Sequence, residues 1–388
     1  MKTVALAEIV DFYSGGTPSK STPEFWAGSV PWFSAKDMKQ PRLSDSTDHI
    51  AEDVFSSTSL RKLPAGTIAM VVRGMILAHT IPISILDVDA AINQDLKALL
   101  PKREIDPSFL AAMLRAQHAT ILSQVSTAAH GTKKLESRVL ENLRIPYPAL
   151  PEQRRIAAIL DHADALRTKR LLVLTRLESL IQSIFIEMFA DCESESISAS
   201  TLMPRMRNGL SPATAGGHTA QVLTLSAVTQ GEFNPCAVKR GTFAIDPPLD
   251  KRVATGDFLI CRGNGNKNLV GRGVYSRDER SDLVFPDTVI AGTVDQSIVM
   301  MPFLEAAWRQ REVRIQIESV ARTTNGTYKV NQQTLSSVVV RTPPLALQRV
   351  FATRIEQIAE QKALTQRALV VATTLATSLV DRALHGQL

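Results

Sequence analysis

The sequence predicts an α+β protein: two similar mixed α/β domains, separated by two long helices that form an antiparallel coiled coil. Two observations lead to this fold class. The end of the first half of the chain recurs at the end of the second half, and each copy is followed by a long stretch with apolar residues at helical spacing. A fixed internal period marks a repeated structural unit. We therefore expect one domain to occur twice, each time followed by a helix.

The repeat is best preserved in segments 131–154 and 326–349, which match at a constant offset of 195 residues. Chance matching among common residues is the alternative, and the absence of gaps argues against it. Earlier in each copy the matches are weaker and the offset drifts to about 190, where Arg73 is the predicted counterpart of Arg262. Two copies of one module, each with a divergent globular part and a better preserved end, account for this pattern.

Within each globular part, short apolar runs alternate with Gly, Pro, Ser and Asp, which predicts strands and turns. Residues 107–125 and 303–320 have helix-like apolar spacing and precede the repeated Gly-Thr pair. The globular parts are therefore predicted to be mixed α and β. The predicted segments are a first domain at 1–150, a central helix at 151–192, a second domain at 193–345 and a C-terminal helix at 346–388.

A heptad pattern begins after Pro148 and Pro151, residues that suit a helix start. Residues 152–190 would form a helix about 58 Å long at about 1.5 Å per residue. Pairing of the two helices is the simplest way to cover their apolar edges, and antiparallel pairing would place the two domains at opposite ends of a rod. Packing of each helix on its own domain is the alternative. The predicted seam consists of Ile156, Ile159, Ala163, Leu166, Val173, Leu177, Leu180 and Ile184 in the first helix and Ile355, Ile358, Val371 and Leu375 in the second.

Composition narrows the class of protein. The chain of 388 residues is 44% hydrophobic and 21% charged, as expected of a globular protein. Its net charge of +6 permits a nucleic-acid partner without requiring one. The three cysteines lack the paired spacing of a zinc site or disulfide framework, which fits the cytoplasm. The longest apolar run, 368–380, is too short to cross a membrane, so no membrane segment is predicted.

Several motifs of the first half together resemble the target recognition domain of type I restriction-modification specificity subunits. The second half departs more, since Trp32 has Leu225 as its counterpart and Glu152 has Leu347. Divergence of this kind suits two domains that read different DNA half-sites. The matching motifs include Gly15-Gly16-Thr17-Pro18-Ser19-Lys20, Val30-Pro31-Trp32-Phe33-Ser34, Leu63-Pro64-Ala65-Gly66-Thr67, Asn93-Gln94-Asp95-Leu96 and Pro148-Ala149-Leu150-Pro151-Glu152-Gln153.

The resemblance implies a non-catalytic subunit that recognises a two-part double-stranded DNA sequence, with the paired helices as a spacer between two reading domains. It also implies partners: two modification subunits, which methylate adenine, and restriction subunits, which translocate and cut DNA. We expect no cofactor on this chain, because S-adenosylmethionine, ATP and Mg²⁺ would belong to those partners. The expected location is the cytoplasm.

Candidate DNA-binding residues lie in loops rich in Arg, Lys and Asn, since these side chains contact phosphates or base edges. The strongest candidate is the Gly- and Asn-rich segment 262–272, and a plain Asn-Gly turn with solvated charges is the alternative. Charged residues after each Gly-Thr pair either meet phosphate or form a solvated turn. The candidates are Lys20, Lys36, Lys39, Arg73, Lys133, Lys134, Arg262, Asn264, Asn266, Lys267, Arg272, Tyr328 and Lys329.

Two other functions are compatible with parts of the sequence. A self-contained DNA-modifying enzyme has superficial support in Asp246-Pro247-Pro248-Leu249. Leu249 supplies no aromatic ring to stack on a flipped base, and no glycine-rich cofactor turn precedes this segment. The sequence also lacks the glycine-lysine loop that cradles ATP phosphates. The remaining alternative is a helical scaffold without a DNA role, which would show no preference among DNA sequences.

Overall fold

The computed structural model describes residues 2–102, 104–127, 131–213, 215–277, 279–324 and 326–388. The chain divides into two compact units. The first unit comprises Met1–Leu171 and Arg367–Leu388, and the second comprises Leu172–Gln366. Both units contain strands and helices, and two long helices each contribute one end to each unit. The fold class predicted from the sequence is confirmed.

The first unit holds an antiparallel pair, a five-stranded sheet and two smaller sheets. Its strands are β1 (Thr3–Ala5), β2 (Val10–Ser14), β3 (Val30–Phe33), β4 (Arg42–Leu43), β5 (Asp48–Ile50), β6 (Ile68–Val71), β7 (Ile83–Leu86), β8 (Ala91–Ile92), β9 (Leu96–Pro101), β10 (Ser126–Thr127), β11 (Lys133–Lys134) and β12 (Arg144–Pro146). Its helices are α1 (Leu6–Ile9), α2 (Val54–Ser57), α3 (Pro107–Ala116), α4 (His118–Ser123), α5 (Ser137–Glu141) and the first part of α6 (Leu150–Phe189).

The five-stranded sheet has the order β2-β9-β6-β7-β4. Every residue of β6 and β7 is buried, and α3 packs against β7 with Phe109 and Leu110 in the same core. Helix α3 begins where the Asp106 carboxylate accepts a hydrogen bond from the backbone N–H of Phe109, which caps its first turn. The buried β6 therefore gives the loop that follows it a rigid base.

The second unit repeats these parts. Its strands are β13 (Glu195–Ser198), β14 (Arg205–Asn208), β15 (His218–Leu223), β16 (Val238–Phe243), β17 (Arg252–Val253), β18 (Asp257–Cys261), β19 (Gly263–Asn264), β20 (Gly273–Tyr275), β21 (Arg280–Val284), β22 (Val289–Thr293), β23 (Arg322–Thr324), β24 (Thr327–Lys329) and β25 (Val339–Thr342). Its helices are α7 (Ala199–Leu202), α8 (Ser226–Thr229), α9 (Met301–Trp308), α10 (Arg311–Val320), α11 (Gln332–Ser336) and the first part of α12 (Leu345–His385).

The internal repeat is visible in the strand order of the two units. The order β14-β22-β18-β20 in the second unit corresponds to β2-β9-β6-β7 in the first. The antiparallel pair β13-β25 likewise corresponds to β1-β12. In each unit this pair joins the first strand to the strand that directly precedes a long helix. The two units are thus two copies of one topology.

The long helices pair within each unit. In the first unit, Ile156 and Leu160 near the start of α6 share a core with Ala383 and Leu379 near the end of α12. In the second unit, the end of α6 meets the start of α12, where Phe185 and Phe351 lie 5.7 Å apart between ring centroids. The end of one helix packs against the start of the other in both units, so the pairing is antiparallel.

The buried seam of α6 differs from the predicted one. Ile156 and Ala163 are buried, as predicted. Three other residues of the predicted seam are exposed instead: Leu166 is 37% exposed, Val173 is 38% exposed and Leu180 is 42% exposed. The buried seam uses the residues four positions after each heptad position that begins at Ile156. The first of these is Leu160, which is 7% exposed. Apolar residues occur at both spacings, so the sequence pattern could not distinguish the two faces. The later seam positions are Arg167, Leu174, Ile181 and Met188, all half-buried.

The remaining predicted seam residues divide in the same way. Ile355 and Ile358 of α12 are buried, whereas Val371 is 67% exposed and Leu375 is 49% exposed. In α6, Ile159, Leu177 and Ile184 are half-buried. The second half of α12 therefore contacts α6 through other side chains than the sequence predicted.

Among the described residues, α12 is long and apolar enough to cross a membrane by length and composition alone. Its buried Lys362 is bonded to Glu178 of α6 at 2.8 Å and to Glu232 at 2.9 Å. A helix that pairs with another helix inside a protein can be as long and as apolar as a membrane-spanning helix. The apolar character of α12 is therefore no evidence of a membrane span.

Candidate nucleic-acid interface

Two loops of equal length follow the buried central strands, and we call residues 72–82 loop A and residues 262–272 loop B. Loop A joins β6 to β7, where Met70 pairs with Ile83. Loop B joins β18 to β20, where Ile260 pairs with Gly273. Both flanking pairs have the same offset of 190 residues, so the loops correspond position by position. They differ in side chains and not in length.

Loop A is bonded to the strand after the repeated Gly-Thr pair. The backbone N–H of Gly74 donates to the carbonyl of Lys133 at 3.0 Å, and the N–H of Leu135 donates to the carbonyl of Val72 at 2.9 Å. Arg73 and Lys134 form an antiparallel bridge between these bonds. The structure therefore brings together three residues predicted separately, Arg73, Lys133 and Lys134.

Loop B has the same attachment in the second unit. Gly263 and Asn264 of β19 pair with Lys329 and Tyr328 of β24, and the N–H of Val330 donates to the carbonyl of Arg262 at 2.9 Å. These bonds join the predicted residues of loop B to Tyr328 and Lys329. A backbone ladder thus fixes each loop against the equivalent strand of its own unit.

The register of this ladder corrects one predicted correspondence. The carbonyl of Val72 in the first unit and that of Arg262 in the second accept the equivalent hydrogen bond. Arg73 is therefore the counterpart of Gly263, one position further along than predicted. The sequence match was misled because both loops contain an Arg-Gly pair that is shifted by one residue. The two arginines leave their strands at different positions.

The side chains of loop A are mainly apolar and exposed. Met75 is 64% exposed and Ile76 is 39% exposed, in a short 3-10 helix at Met75–Ala78. Leu77 of the same turn is 1% exposed and anchors it in the core. Met75 and Ile76 are absent from the residues predicted to contact DNA, because polar side chains alone were expected there. Their signal was an apolar pair in a loop directly after Arg73-Gly74.

The side chains of loop B are polar and exposed. The Asn264 side-chain oxygen accepts from the N–H of Asn266 at 2.9 Å, and that of Asn266 accepts from the N–H of Asn268 at 3.0 Å. Both turns use the side-chain oxygens of the asparagines as acceptors. The side-chain N–H₂ groups take no part in these two hydrogen bonds. Lys267 is exposed, and within the described residues no ion pair involves it.

Two predicted arginines of loop B are bonded to the fold itself. The guanidinium of Arg272 donates to the carbonyls of Asn268 at 3.1 Å and Thr229 at 3.0 Å. Burial, together with nearby Arg314, lowers the pKa of Arg272. Arg262 donates to the carbonyl of Asp287 at 3.1 Å. Arg272 holds the shape of loop B, whereas Lys267 and Asn268 form its exposed surface.

The other predicted lysines lie in different surroundings. Lys36 pairs with Asp48 at 2.7 Å, and this hydrogen-bonded carboxylate raises the pKa of Lys36. Lys20 and Lys39 are exposed. Near loop A, Lys133 donates to the hydroxyl of Thr127 at 2.9 Å, and Lys134 pairs with Glu136 at 3.0 Å. Lys329, the counterpart of Lys134, is exposed without an ion pair among the described residues.

A cavity of about 220 Å³ in the second unit contains a carboxyl group whose pKa is raised, that of Glu305. It is lined by Glu305, Arg309, Glu232 and Tyr275. Burial raises the pKa of Glu305 to about 7, although Arg309 at 2.8 Å acts in the opposite direction. Within the described parts of the chain, no group of three or more His, Cys, Asp or Glu side chains could hold a metal ion.

Comparison with known proteins shows what the chain is similar to. Residues 1–176 match the family described as type I restriction modification DNA specificity domain. The chain is 38% identical over 162 residues to the type I restriction enzyme EcoR124I/EcoR124II specificity subunit of Escherichia coli, covering 42% of this chain and 40% of that protein. It is 22% identical over 316 residues to the EcoKI specificity subunit of Escherichia coli K12, covering 75% of this chain and 67% of that protein.

A solved structure shows the same fold over the whole chain. The S subunit of a type I restriction-modification system from M. genitalium superposes with a TM-score of 0.60, at 12% identity, over 99% of this chain and 96% of that one. The match to the Escherichia coli EcoR124I/EcoR124II subunit, in contrast, spans less than half of that relative's length.

Proposed function

We propose that the chain is a type I restriction-modification specificity subunit and that it recognises a bipartite double-stranded DNA target. In this proposal each unit reads one half of the target through its loop, A or B. The observation that carries the proposal is the duplicated arrangement of an exposed loop hydrogen-bonded to a strand that carries lysine. Two such arrangements in one chain suit two half-sites separated by base pairs that neither loop contacts.

In this proposal, lysines contact phosphates and the loop tips contact base edges. The lysines on β11 and β24 provide positive charge for phosphates, which positions a protein on DNA without reading sequence. The exposed tips of loops A and B then reach base edges, which carry the sequence information. Lys20 and Lys39 are further phosphate ligands in this proposal, since both are exposed.

We propose that the chain is not itself an enzyme and binds no cofactor. Its role is to direct adenine methylation and DNA cleavage by two modification subunits and by ATP-dependent restriction subunits. S-adenosylmethionine, ATP and Mg²⁺ then belong to these partners. The cytoplasm, where chromosomal and incoming DNA are both accessible, is the proposed location.

The test is to express the chain with its modification subunit in a host without other adenine methylation, and to map methylated adenines across the genome. The expected result is methylation within one motif of two defined halves and an undefined middle of constant length. Methylation without any motif would support the helical scaffold instead. DNA modification by the purified chain alone would support a self-contained enzyme and contradict the proposal.

A further inference from the structure

We infer that the two loops read DNA by different chemistry, and that Met75 and Ile76 of loop A contact the methyl groups of thymines in the major groove. Loop B reads its half-site by hydrogen bonds instead. The inference rests on the proposed function and goes beyond it, because it names the specificity-determining residues of one half and the chemical group that they recognise.

The first step is the placement of the apolar pair. Gly74 has a φ of +133°, a backbone conformation that glycine adopts without strain and that turns the chain outward after β6. The buried Leu77 returns the turn to the core two residues after Met75. Met75 and Ile76 are thereby held at the tip of a short turn, where neither side chain contributes to the core.

The second step is the charge around this tip. Arg73 precedes it directly and bridges to Lys134, and the carbonyl of Lys133 holds Gly74. The Arg73 side chain is exposed and has no ion pair within the described residues. Lys134 is paired with Glu136, so Arg73 and Lys133 supply the positive charge beside the apolar tip. Such a tip favours a polyanion that also offers apolar groups. Duplex DNA provides both, in its phosphates and in the thymine methyl groups.

The third step is that the tip of loop A, between Gly74 and His79, carries no side chain for hydrogen-bond readout. Between Gly74 and His79 the side chains are those of Met, Ile, Leu and Ala, so no amide or guanidinium reaches outward. Apolar side chains distinguish bases in the major groove by contact with the C5-methyl group of thymine. A thymine contact is therefore the specific interaction that Met75 and Ile76 provide.

The fourth step is the matched contrast with loop B. At an offset of 190 residues, Met75 and Ile76 correspond to Gly265 and Asn266. Loop B continues with Lys267 and Asn268, both exposed. Amide and lysine side chains of this kind pair with adenine and guanine edges. Two loops of one length and one attachment thus present opposite chemistry, which gives one chain two different half-site specificities.

The experiment uses deoxyuridine, which differs from thymidine only by the missing methyl group. The chain assembled with its modification subunits is bound to its mapped target, and each thymine of both halves and both strands is replaced in turn. For wild type, we expect about a fourfold loss of affinity for each contacted methyl group, at one or two thymines of a single half-site.

The variant Met75→Ala/Ile76→Ala should no longer distinguish thymine from uracil at those positions. Its matched control is Lys267→Ala in loop B, which should keep the uracil effect and lose discrimination in the other half-site. Both sites are on the surface, and thermal unfolding of the variants is expected to match that of wild type. The uracil series with wild-type protein does not depend on any variant.

Two results would overturn the inference while leaving the proposed function intact. One is sequence-specific binding that no uracil substitution weakens, or that uracil weakens as much in Met75→Ala/Ile76→Ala as in wild type. The other is a Met75→Ala/Ile76→Ala variant that assembles less readily with the modification subunits but, once assembled, retains the uracil effect, which would assign loop A to a protein contact. Failure of the proposed function looks different, because wild type would then bind all DNA sequences equally.

Discussion

Gln153 and Gln348 make the same three hydrogen bonds, one set in each unit. Both side chains are fully buried. The Gln153 oxygen accepts from the N–H of Asp106 at 2.9 Å, and its amide nitrogen donates to the carbonyls of Glu104 and Pro148. The Gln348 oxygen accepts from the N–H of Met300 at 2.9 Å, and its nitrogen donates to the carbonyls of Ile298 and Pro343.

Each glutamine ties the start of a long helix to the loop before α3 or α9. Substitution by Leu would leave a buried backbone N–H and two carbonyls without partners. We expect Gln153→Leu and Gln348→Leu each to destabilise its own unit by about 2 to 4 kcal/mol, since each buried polar group left unpaired costs about 1 to 3 kcal/mol.

Tryptophan fluorescence separates the two effects, because Trp26 and Trp32 lie in the first unit and Trp308 lies in the second. In urea unfolding, Gln348→Leu should lower the transition midpoint reported by Trp308 in a Trp26→Phe/Trp32→Phe background. Gln361→Leu, at an exposed position of α12, is the control and should change the midpoint little. Equal midpoints for both variants would contradict the assigned role.

A second prediction concerns the buried ion pair between Arg207 and Asp257. Their side chains are 10% and 2% exposed, and the carboxylate also accepts from the N–H of Ala254 at 2.9 Å. Asp257→Asn leaves the Arg207 charge buried without a counter-charge. We expect a loss of about 3 to 5 kcal/mol, as for other broken buried pairs.

The control for this substitution is Asp282→Asn. It removes the carboxylate that pairs with Arg280, and the Asp282 side chain is 58% exposed. That change should cost less than about 1 kcal/mol. Both are measured as free energies of unfolding of the second unit through Trp308. Similar losses for the two variants would show that burial of Asp257 does not matter to stability.

The duplication and the long helices could be predicted from the sequence, because a repeat at constant offset and an apolar period persist over many residues. The face of α6 that is buried could not, since Leu and Ile occur at both spacings around Leu160 and Leu166. Packing decides between such faces, and it depends on residues distant in sequence, here in α12.

The sequence predicted which residue types lie in the candidate site, but not which contact each residue makes. Arg272 and Lys36 belong to the residue types that bind DNA, but the fold uses one to bind backbone carbonyls and the other to pair with Asp48. Met75 and Ile76 were missed because an apolar residue in a loop is read as core until its exposure is known. The register that aligns loops A and B also required the strand pairing.

A third prediction is a pH dependence of the second unit. Burial raises the pKa of Glu305 from 4.5 to about 7 in the folded chain. Between these values the folded state keeps a proton that the unfolded state has released, so stability falls as the pH rises from 4.5 to 7 and changes no further above. The loss is on the order of 1 to 3 kcal/mol.

This dependence is measured as the urea midpoint of the Trp308 signal at several pH values from 5 to 8. Glu305→Gln should flatten the profile, because the amide does not ionise. Glu312→Gln, at an exposed position of α10, should leave the profile unchanged. A wild-type midpoint that rises with pH over this range, with the slope removed in Glu305→Gln, would contradict the assignment.

A fourth prediction concerns salt. If Lys329 contacts a phosphate, Lys329→Gln should weaken binding equally for specific and nonspecific DNA. It should also reduce the slope of log affinity against log salt concentration by about 0.9. Lys102→Gln is the control, because Lys102 already lies 3.6 Å from Asp11. A change in target motif, with an unchanged salt slope, would indicate a base contact instead.

The most direct test of two independent reading domains is to replace residues 1–150 with the corresponding residues of a known type I specificity subunit and to map adenine methylation again. The account predicts that one half of the methylated motif changes, while the other half and the length of the unread middle stay the same. A change in both halves, or in the second half alone together with the spacing, would contradict it.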